Sequence, residues 1–451
     1  MILLAAAAAI PFVGWASLDL AREGRVVAGN VLYPVLMVAM FFVAHLLLRL
    51  FRPQADHYLL PLASVLCYVG LTLLFRLDEH MARLQVIWLG VGLAAMVVLV
   101  AALRDYRVLA RYRYTLAVVG LVLLLSTMVL GKEVNGARLW IVLGPLRFQP
   151  SELAKILLAV FFAAYLADKK ELITAAGRSV AGITLPRLRD LGPLLTMWAL
   201  SLLLLIFQRD LGSSLLFFGI FLAVLYVATA RVSFVLVGVV LFILGATFTF
   251  FAFSHVQERV DTWLDPLNPE TIEDESYQMA QSLFAFAEGG LSGTGLGRGY
   301  PDIIPFVETD FIYAAAGEEL GLFGAAALVL IYLLLIIRGL YIAMRSDNDF
   351  GKLLAVGLTA IIALQSFIIM GGNIRLVPLT GITLPFVSYG GSSLVSNFLL
   401  LGLLLCISAP PRESAAVIRR AARVRREGAG EAPALAGVPD GDPAATPEWG
   451  R

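Results

Sequence analysis

The feature that most restricts this chain is the recurrence of apolar runs about as long as a bilayer is thick. Taking roughly 20 apolar residues as one crossing, twelve candidates appear: 2–18, 31–50, 59–76, 84–103, 114–131, 152–167, 191–207, 212–229, 232–254, 311–338, 353–372 and 388–408. Each is expected to be helical, because hydrocarbon offers no partner to a backbone N–H or C=O and a helix satisfies both within one segment. Composition agrees: the 451 residues are 59% hydrophobic and 15% charged, where soluble domains run at about 45–50% and about 25%. The fold class that follows is an all-α polytopic integral membrane protein.

Charge sets the expected orientation. If the loop before the third run is cytoplasmic, the inside loops carry fifteen Lys and Arg and the outside loops eleven, with seven more in the tail after 408. The positive-inside rule then places both termini in the cytoplasm. The net charge of +1 gives no reason to expect a nucleic acid partner. Cys67 and Cys406 lie inside apolar runs and read as small buried hydrophobes. His45, His57, His80 and His255 are scattered, with no pair at zinc-ligand spacing. The start, MILLAAAAAIPFVGWASLDL, resembles a signal peptide but lacks a basic leading region, and is expected to be a short membrane helix. The Pro-, Ala- and Gly-rich stretch after 408 is expected to be disordered. Its basic RRAARVRR (419–426) would lie against anionic lipid headgroups. No internal repeat of the transporter kind is found.

Four polar clusters interrupt the apolar text, and an ionisable group at membrane depth is a functional-site candidate by default. In QPSELAK (149–155), Glu152 and Lys155 stand three residues apart on one helix face, as an ion pair or as site residues. In QRDLGSSL (208–215), Asp210 reads foremost as a helix cap. The Gly- and Pro-broken GGNIRLVPLTGITLPFVSYGGSS (371–393) contains Arg375. It suits a buried or cavity-lining backbone, and its SYGGSS suits either an anion nest or close helix packing. Last, PFVETDFIYAAAGEELGLFG (305–324) brings Glu308, Asp310, Glu318 and Glu319 into the start of a membrane helix. A cap explains one acid, not four. The acids are expected to face a polar cavity open to the outer surface, with Arg259, Lys155 or Arg375 as partners. They follow the largest loop, 255–310, which holds the Gly-rich EGGLSGTGLGRGYP (288–301).

These clusters, in this order, resemble the SEDS family (shape, elongation, division and sporulation) of RodA/FtsW-type cell-wall proteins. The matching text is NGARLWI…QPSELAKI, QRDLGSSL, HVQERVDTWLDP…YQMAQSLFAFAEGGLSGTGLG, TDFIYAAAGEELGLFG and PLTGITLPFVSYGGSS. The resemblance implies a ten-helix core over 59–408. Residues 1–58, with two further transmembrane helices, and the tail 409–451 lie outside it. It implies a peptidoglycan glycosyltransferase that polymerises lipid II at the outer face of the bacterial cytoplasmic membrane, in cell-shape maintenance or division. A class B penicillin-binding protein would be its partner, with membrane lipids around it.

The family's catalytic acid is the Asp of TDF, here Asp310. Arg138 matches the NGAR motif, Glu152 and Lys155 the QPSE-x-x-K pair, and Arg259 the arginine before WLDP; Asp302 falls where some members place a second acid. Two departures stand out. IPFVETDF replaces a PE-x-H-T-D pattern, so Asp302 or Glu308 would supply any auxiliary carboxylate. Arg209 replaces the usual proline before Asp210. The implied chemistry makes Asp310 the base for the acceptor C4 hydroxyl, in a single inverting displacement. Arg138, Lys155, Arg259 and Arg375 would neutralise the departing undecaprenyl pyrophosphate. A divalent cation such as Mg²⁺ would share that work. The rival readings are a lipid II flippase and a non-catalytic scaffold for the penicillin-binding protein.

Overall fold

The computed structural model describes residues 1–409 except 135–136, 144–145, 176, 181–182 and 187; the tail, with its basic 419–426 segment, lies outside them. Eleven of the described helices are long and apolar enough to cross a membrane, and the expected run at 191–207 is present as the shorter apolar segment Gly192–Phe207. The helices are α1 (Ile2–Ala7), α2 (Ala9–Glu23), α3 (Leu32–Phe51), α4 (Leu59–Leu77), α5 (Glu79–Ala102), α6 (Val108–Arg111), α7 (Arg113–Leu130) and α8 (Pro150–Ala175). They continue as α9 (Leu188–Phe207), α10 (Leu211–Thr229), α11 (Val232–Ala252), α12 (Ser254–Leu264), α13 (Tyr277–Gly289), α14 (Ile312–Met344), α15 (Asp349–Asn373) and α16 (Gly391–Ser408). Several start on side-chain caps. Asp78 accepts from His80 and Met81 N–H, Asp210 from Ser213 and Asn348 from Gly351, each satisfying a donor the helix leaves open.

In lipid, helices associate by close packing rather than by hiding apolar surface from water. The centre of the bundle is α4, α8, α15 and α16, whose apolar stretches are 78–83% buried; the corresponding value for α11 is 11%. Small residues bring the backbones together. A Cβ on Gly357 of α15 would sit 3.2 Å from Val224 and 3.6 Å from Ala159, so α15 meets α10 and α8 at one level. Residues 2–51 dock on α4 through Gly14 against Thr72, Trp15 against Phe75 (5.1 Å between ring centres) and Phe41 edge-on to Tyr68 (5.3 Å).

Three features depart from a plain helix bundle. Between α7 and α8 the chain forms an antiparallel sheet of β1 (Lys132–Val134), β2 (Ala137–Leu143) and β3 (Leu146–Phe148), with Ile141 opposite Phe148 and Leu143 opposite Leu146. A hairpin of β4 (Gly177–Val180) and β5 (Ile183–Pro186) follows α8. The β-branched and aromatic run LWIVL suits a strand once it lies outside a crossing. The 255–310 loop carries α12, α13 and a 3₁₀ turn at Pro301–Ile303. Finally, the segment between α15 and α16 is irregular, with Arg375, Gly381 and Phe386 at positive φ. Its Ile382, Leu384, Phe386 and Val387 are nevertheless buried, as irregular backbone at membrane depth has to be.

Candidate active site

Asp310 sits on a tight turn just before α14. Thr309 and Asp310 N–H both donate to the Phe306 carbonyl, at 3.1 and 3.0 Å, and Phe306 itself has φ 58°. A bulky residue there stores about 1–3 kcal/mol of strain that the surroundings must hold. They do so from three sides. Ile304, Val307 and Phe311 are buried against Ala285, Ala314 and Ala315. Asn373, fully buried at the end of α15, donates from Nδ2 to the Asp310 carbonyl (2.8 Å) and accepts from Ala314 N–H (3.2 Å). Ser388 Oγ donates to the Thr309 carbonyl (2.5 Å) and accepts from Leu384 N–H (2.9 Å), while Tyr389 N–H donates to the Glu308 carbonyl (2.8 Å). Of the two meanings open to SYGGSS, the fold supports packing. Ser388 and Tyr389 clamp the Asp310 turn, and Gly391 gives room to Trp88, whose ring a Cβ would meet at 2.2 Å.

This backbone grip leaves the Asp310 carboxylate available. α14 is capped by Phe311 without any side-chain bond, which removes the cap as an explanation of the acid. The side chain is partly accessible and shares a hollow with Arg259 of α12. A Cβ built on Gly381 would lie 3.7 Å from Asp310 Oδ2 and 4.0 Å from Arg259 Nη2. Gly381 has φ +69° and is the residue type that both tolerates that backbone and leaves the hollow open. Burial pushes the Asp310 carboxyl up to about 6; a hydrogen bond from Thr309 and the Arg259 charge pull it back, and Glu308 adds to the rise.

A second acid, Asp210, is drawn into the same neighbourhood. Its Oδ1 caps α10 at Ser213 N–H (2.9 Å), as the sequence suggests. Its Oδ2 is buried with no hydrogen-bond partner among the described residues, and so is Thr380 Oγ1. The α10 start touches Thr380 and Ile382 at Gly212. Burial raises the Asp210 carboxyl as well; the bonds to Ser213 and the Arg259 charge oppose this, and Glu152 adds to it. Arg259 therefore lies within electrostatic reach of both Asp310 and Asp210. The caps in QRDLG hid this second role from sequence reasoning. Arg209, at φ 60°, holds a backbone that a proline ring cannot adopt.

The remaining cations are engaged elsewhere. Lys155 Nζ lies 2.5 Å from Glu152 Oε2 and donates to Gln365 Oε1 at 2.9 Å, with both charged side chains nearly fully buried. Gln365 Nε2 in turn donates to the Thr383 carbonyl (2.8 Å), so the pair ties α8 to α15 and to the broken segment. Arg375 and Trp263 clamp each other: Arg375 donates to the Trp263 carbonyl (2.8 Å) and to that of Leu264, and Trp263 Nε1 donates back to the Arg375 carbonyl (3.1 Å). A cation at the end of α12 suits its dipole and sets the helix that carries Arg259. Arg138 lies exposed on β2.

Glu318 and Glu319 do not take the expected partners. The helix α14 breaks at Gly321 (φ 68°, ψ −169°), and the Gly-rich loop docks at the break. Thr294 and Gly295 N–H donate to the Glu318 and Glu319 carbonyls (2.9 and 3.0 Å), and Leu322 and Phe323 N–H donate to Gly290 and Leu291. Glu318 Oε1 accepts from Tyr300 N–H (2.6 Å). Glu319 pairs with Arg76 (2.8 Å), which also reaches Asp302 (3.1 Å) and the Gly299 carbonyl (2.8 Å). Arg22 of α2 donates to the Arg76 carbonyl (2.6 Å). Asp302 and Glu319 thus hold the outer loop through Arg76, a residue whose position at the end of α4 gives no sequence-level sign of this, and Glu318 holds it through Tyr300 N–H. The fit is tight. Gly293, at φ +82°, would place a Cβ 2.2 Å from the Glu319 carbonyl oxygen. Gly293→Ala is expected to lower stability by about 2–4 kcal/mol through strain and overpacking, read as an earlier detergent melt; an unchanged melt would show that the loop docks loosely.

A family model described as FtsW/RodA/SpoVE cell cycle protein matches residues 58–413. A peptidoglycan glycosyltransferase RodA of Mycobacterium leprae (strain TN) is 46% identical over 386 residues, covering 83% of this chain and 82% of its own. The RodA of Mycobacterium bovis is 45% identical over 421 residues, covering 90% and 89%. Among solved structures, a chain from work on a peptidoglycan synthase complex that coordinates polymerisation and crosslinking superposes with TM-score 0.65 at 29% identity, over 78% of this chain and 97% of that one. RodA of Thermus thermophilus superposes with TM-score 0.56 at 28% identity, over 78% and 96%.

Proposed function

Since this chain belongs to the SEDS family and is a peptidoglycan glycosyltransferase, we propose that Asp310 is its general base, acting on lipid II at the outer face of the cytoplasmic membrane. The observation that carries the assignment is the hollow at Gly381, into which both the Asp310 carboxylate and the Arg259 guanidinium open. A base has to reach the acceptor C4 hydroxyl and be unprotonated near neutral pH. A carboxyl raised to about 6 meets that condition while remaining more basic than an ordinary aspartate. Arg259, on the other side of the hollow, is placed to stabilise the negative charge that develops on the leaving diphosphate. The displacement is a single inverting step: the acceptor oxygen bonds to the donor anomeric carbon as the bond to the lipid diphosphate breaks. The hydroxyl proton goes to Asp310.

The same reading places both termini in the cytoplasm, on the Lys and Arg distribution, and assigns a class B penicillin-binding protein as crosslinking partner. That partner is supported by the likeness to the synthase complex. Flippase and scaffold readings predict no polymer from the purified chain. Arg138, Lys155 and Arg375 are assigned supporting parts, Lys155 and Arg375 through the ties that hold α8, α12 and α15.

The sign of the pH dependence follows from the protonation state of the base. The rate of lipid II polymerisation by purified protein is expected to fall tenfold per pH unit below about 6 and to level off above about 7. A flat profile between pH 5 and 8 would remove Asp310 as the titrating base. As for a metal, among the described residues no three His, Cys, Asp or Glu side chains converge. An ion at Asp310 would draw most of its ligands from water and the substrate diphosphate, as Mg²⁺ commonly does. Loss of polymer in EDTA, restored by Mg²⁺, would support such an ion; full turnover in EDTA would exclude it.

A further inference from the structure

Far from Asp310, the other end of α14 lines a cavity of about 220 Å³. At 1.5 Å per residue, about 39 Å of helix separates residue 312 from residue 338. The walls include Asp56, His57, Tyr58, Arg338, Tyr341 and Arg345. Aromatic rings and guanidinium groups alternate there. Arg338 lies 4.4 Å from the centre of the Tyr58 ring and 4.5 Å from that of Tyr341, and Arg345 lies 4.6 Å from Tyr341.

The charges do not cancel. Asp56 pairs with Arg338 (2.5 Å) and accepts from Tyr58 and Leu59 N–H (2.9 and 3.2 Å), so the one carboxylate that the described residues place in the wall is committed. Arg345 is exposed and has no ion-pair partner among the described residues. Arg49, at the end of α3, donates to His57 Nε2 (3.1 Å) and likewise has no carboxylate partner among the described residues. The Arg345 guanidinium is thus left in the cavity wall, stacked on Tyr341 with an N–H edge to fork onto oxyanions, and Arg49 adds a second positive charge behind it through His57. Beside the cavity, α14 exposes Ile337, Leu340 and Met344, and α3 exposes Leu46 and Leu50. Both helices are long and apolar enough to cross a membrane.

We propose that this cavity binds the phosphate-bearing headgroup of an anionic phospholipid. The chemistry recognised is a phosphodiester, and a free phosphate shares it. The apolar flanks favour the lipid, because they would take its chains while the guanidinium groups take its head. Basic pockets between membrane helices recognise headgroups in this way.

The test is a melting titration of the purified full-length protein in neutral detergent, with phosphatidylglycerol, phosphatidylcholine or inorganic phosphate. Phosphatidylglycerol is expected to raise the Tm saturably and phosphatidylcholine to leave it unchanged. Arg345→Ala is expected to weaken the phosphatidylglycerol response about tenfold and Arg49→Ala/Arg345→Ala about a hundredfold, at about one charge-assisted contact per guanidinium. If Arg345→Ala melts lower even without lipid, Arg345→Lys serves instead, and should keep the charge while losing the forked contact, with a response two- to fivefold weaker. An equal response to both lipids, or variants that respond like the parent, would overturn the site. A shift with inorganic phosphate at the concentration where phosphatidylglycerol saturates would overturn the lipid assignment in favour of a soluble anion.

Discussion

Asp310→Asn protein is expected to insert, purify and melt like the parent chain, yet to polymerise lipid II at about 1% of its rate or less. Asparagine keeps the size and polarity of the side chain but cannot accept the acceptor's proton, and a positioned general base contributes about 10²–10⁴-fold. The structural cost is small, because the turn is held by its backbone. Asn373 binds the Asp310 carbonyl and Ser388 the Thr309 carbonyl, and neither bond needs the carboxylate. Removing a desolvated charge even relieves some repulsion from Glu308. The readout is glycan product from purified protein and lipid II, with Tm measured alongside. A variant that melts normally and still makes polymer at the parental rate would sink the assignment. One that unfolds would say nothing about chemistry, so Asp310→Glu, which keeps a carboxylate one methylene away, is the second variant; it is expected to retain more activity than the asparagine.

The second large effect is on folding. Lys155→Ala leaves the Glu152 carboxylate and Gln365 Oε1 buried without their common donor. Breaking a buried pair from one side costs about 3–5 kcal/mol, whereas replacing both partners with apolar groups of similar volume is far milder. Lys155→Ala should therefore yield little folded protein. Glu152→Gln/Lys155→Met should recover most of the stability, since the glutamine can meet Gln365 and no charge remains. If the single variant melts like the parent, the pair carries no structural load. If the double variant folds but its activity does not return, Glu152 or Lys155 serves the site in addition to holding the bundle. Melting and lipid II polymerisation, read together, separate these outcomes.

Much of the site was legible because its residues are expensive where they stand. Asp310 was found as an acid at the start of a membrane helix, and Glu152 and Lys155 as charges three apart on a helix that is otherwise apolar. Asp210 was found as a cap, and it is one. What stayed hidden was every partner distant in sequence. Arg76 lies more than 200 residues from Glu319 and Asp302, Gln365 as far from Lys155, and nothing local marks either as a partner. Arg375 and Lys155 were expected to be cations for the substrate. The fold ties the first to the end of α12 and the second to Glu152 and Gln365. The four acids of one stretch also divide: Glu318 and Glu319 hold the Gly-rich loop, and Glu308 and Asp310 lie on the turn below it.

Taken alone, the order of residues settles what depends on a local transfer cost: that the chain lies in a membrane as helices, roughly where each one begins, and which charges stand at membrane depth. Only the three-dimensional arrangement decides which of those charges neutralise one another. Pairing energy depends on distances of a few ångströms between segments far apart along the chain, and the close backbone contacts at small residues set those distances. Glu319 is a loop anchor and Asp310 is the open carboxylate because Arg76 reaches the first, and Gly381 leaves room beside the second.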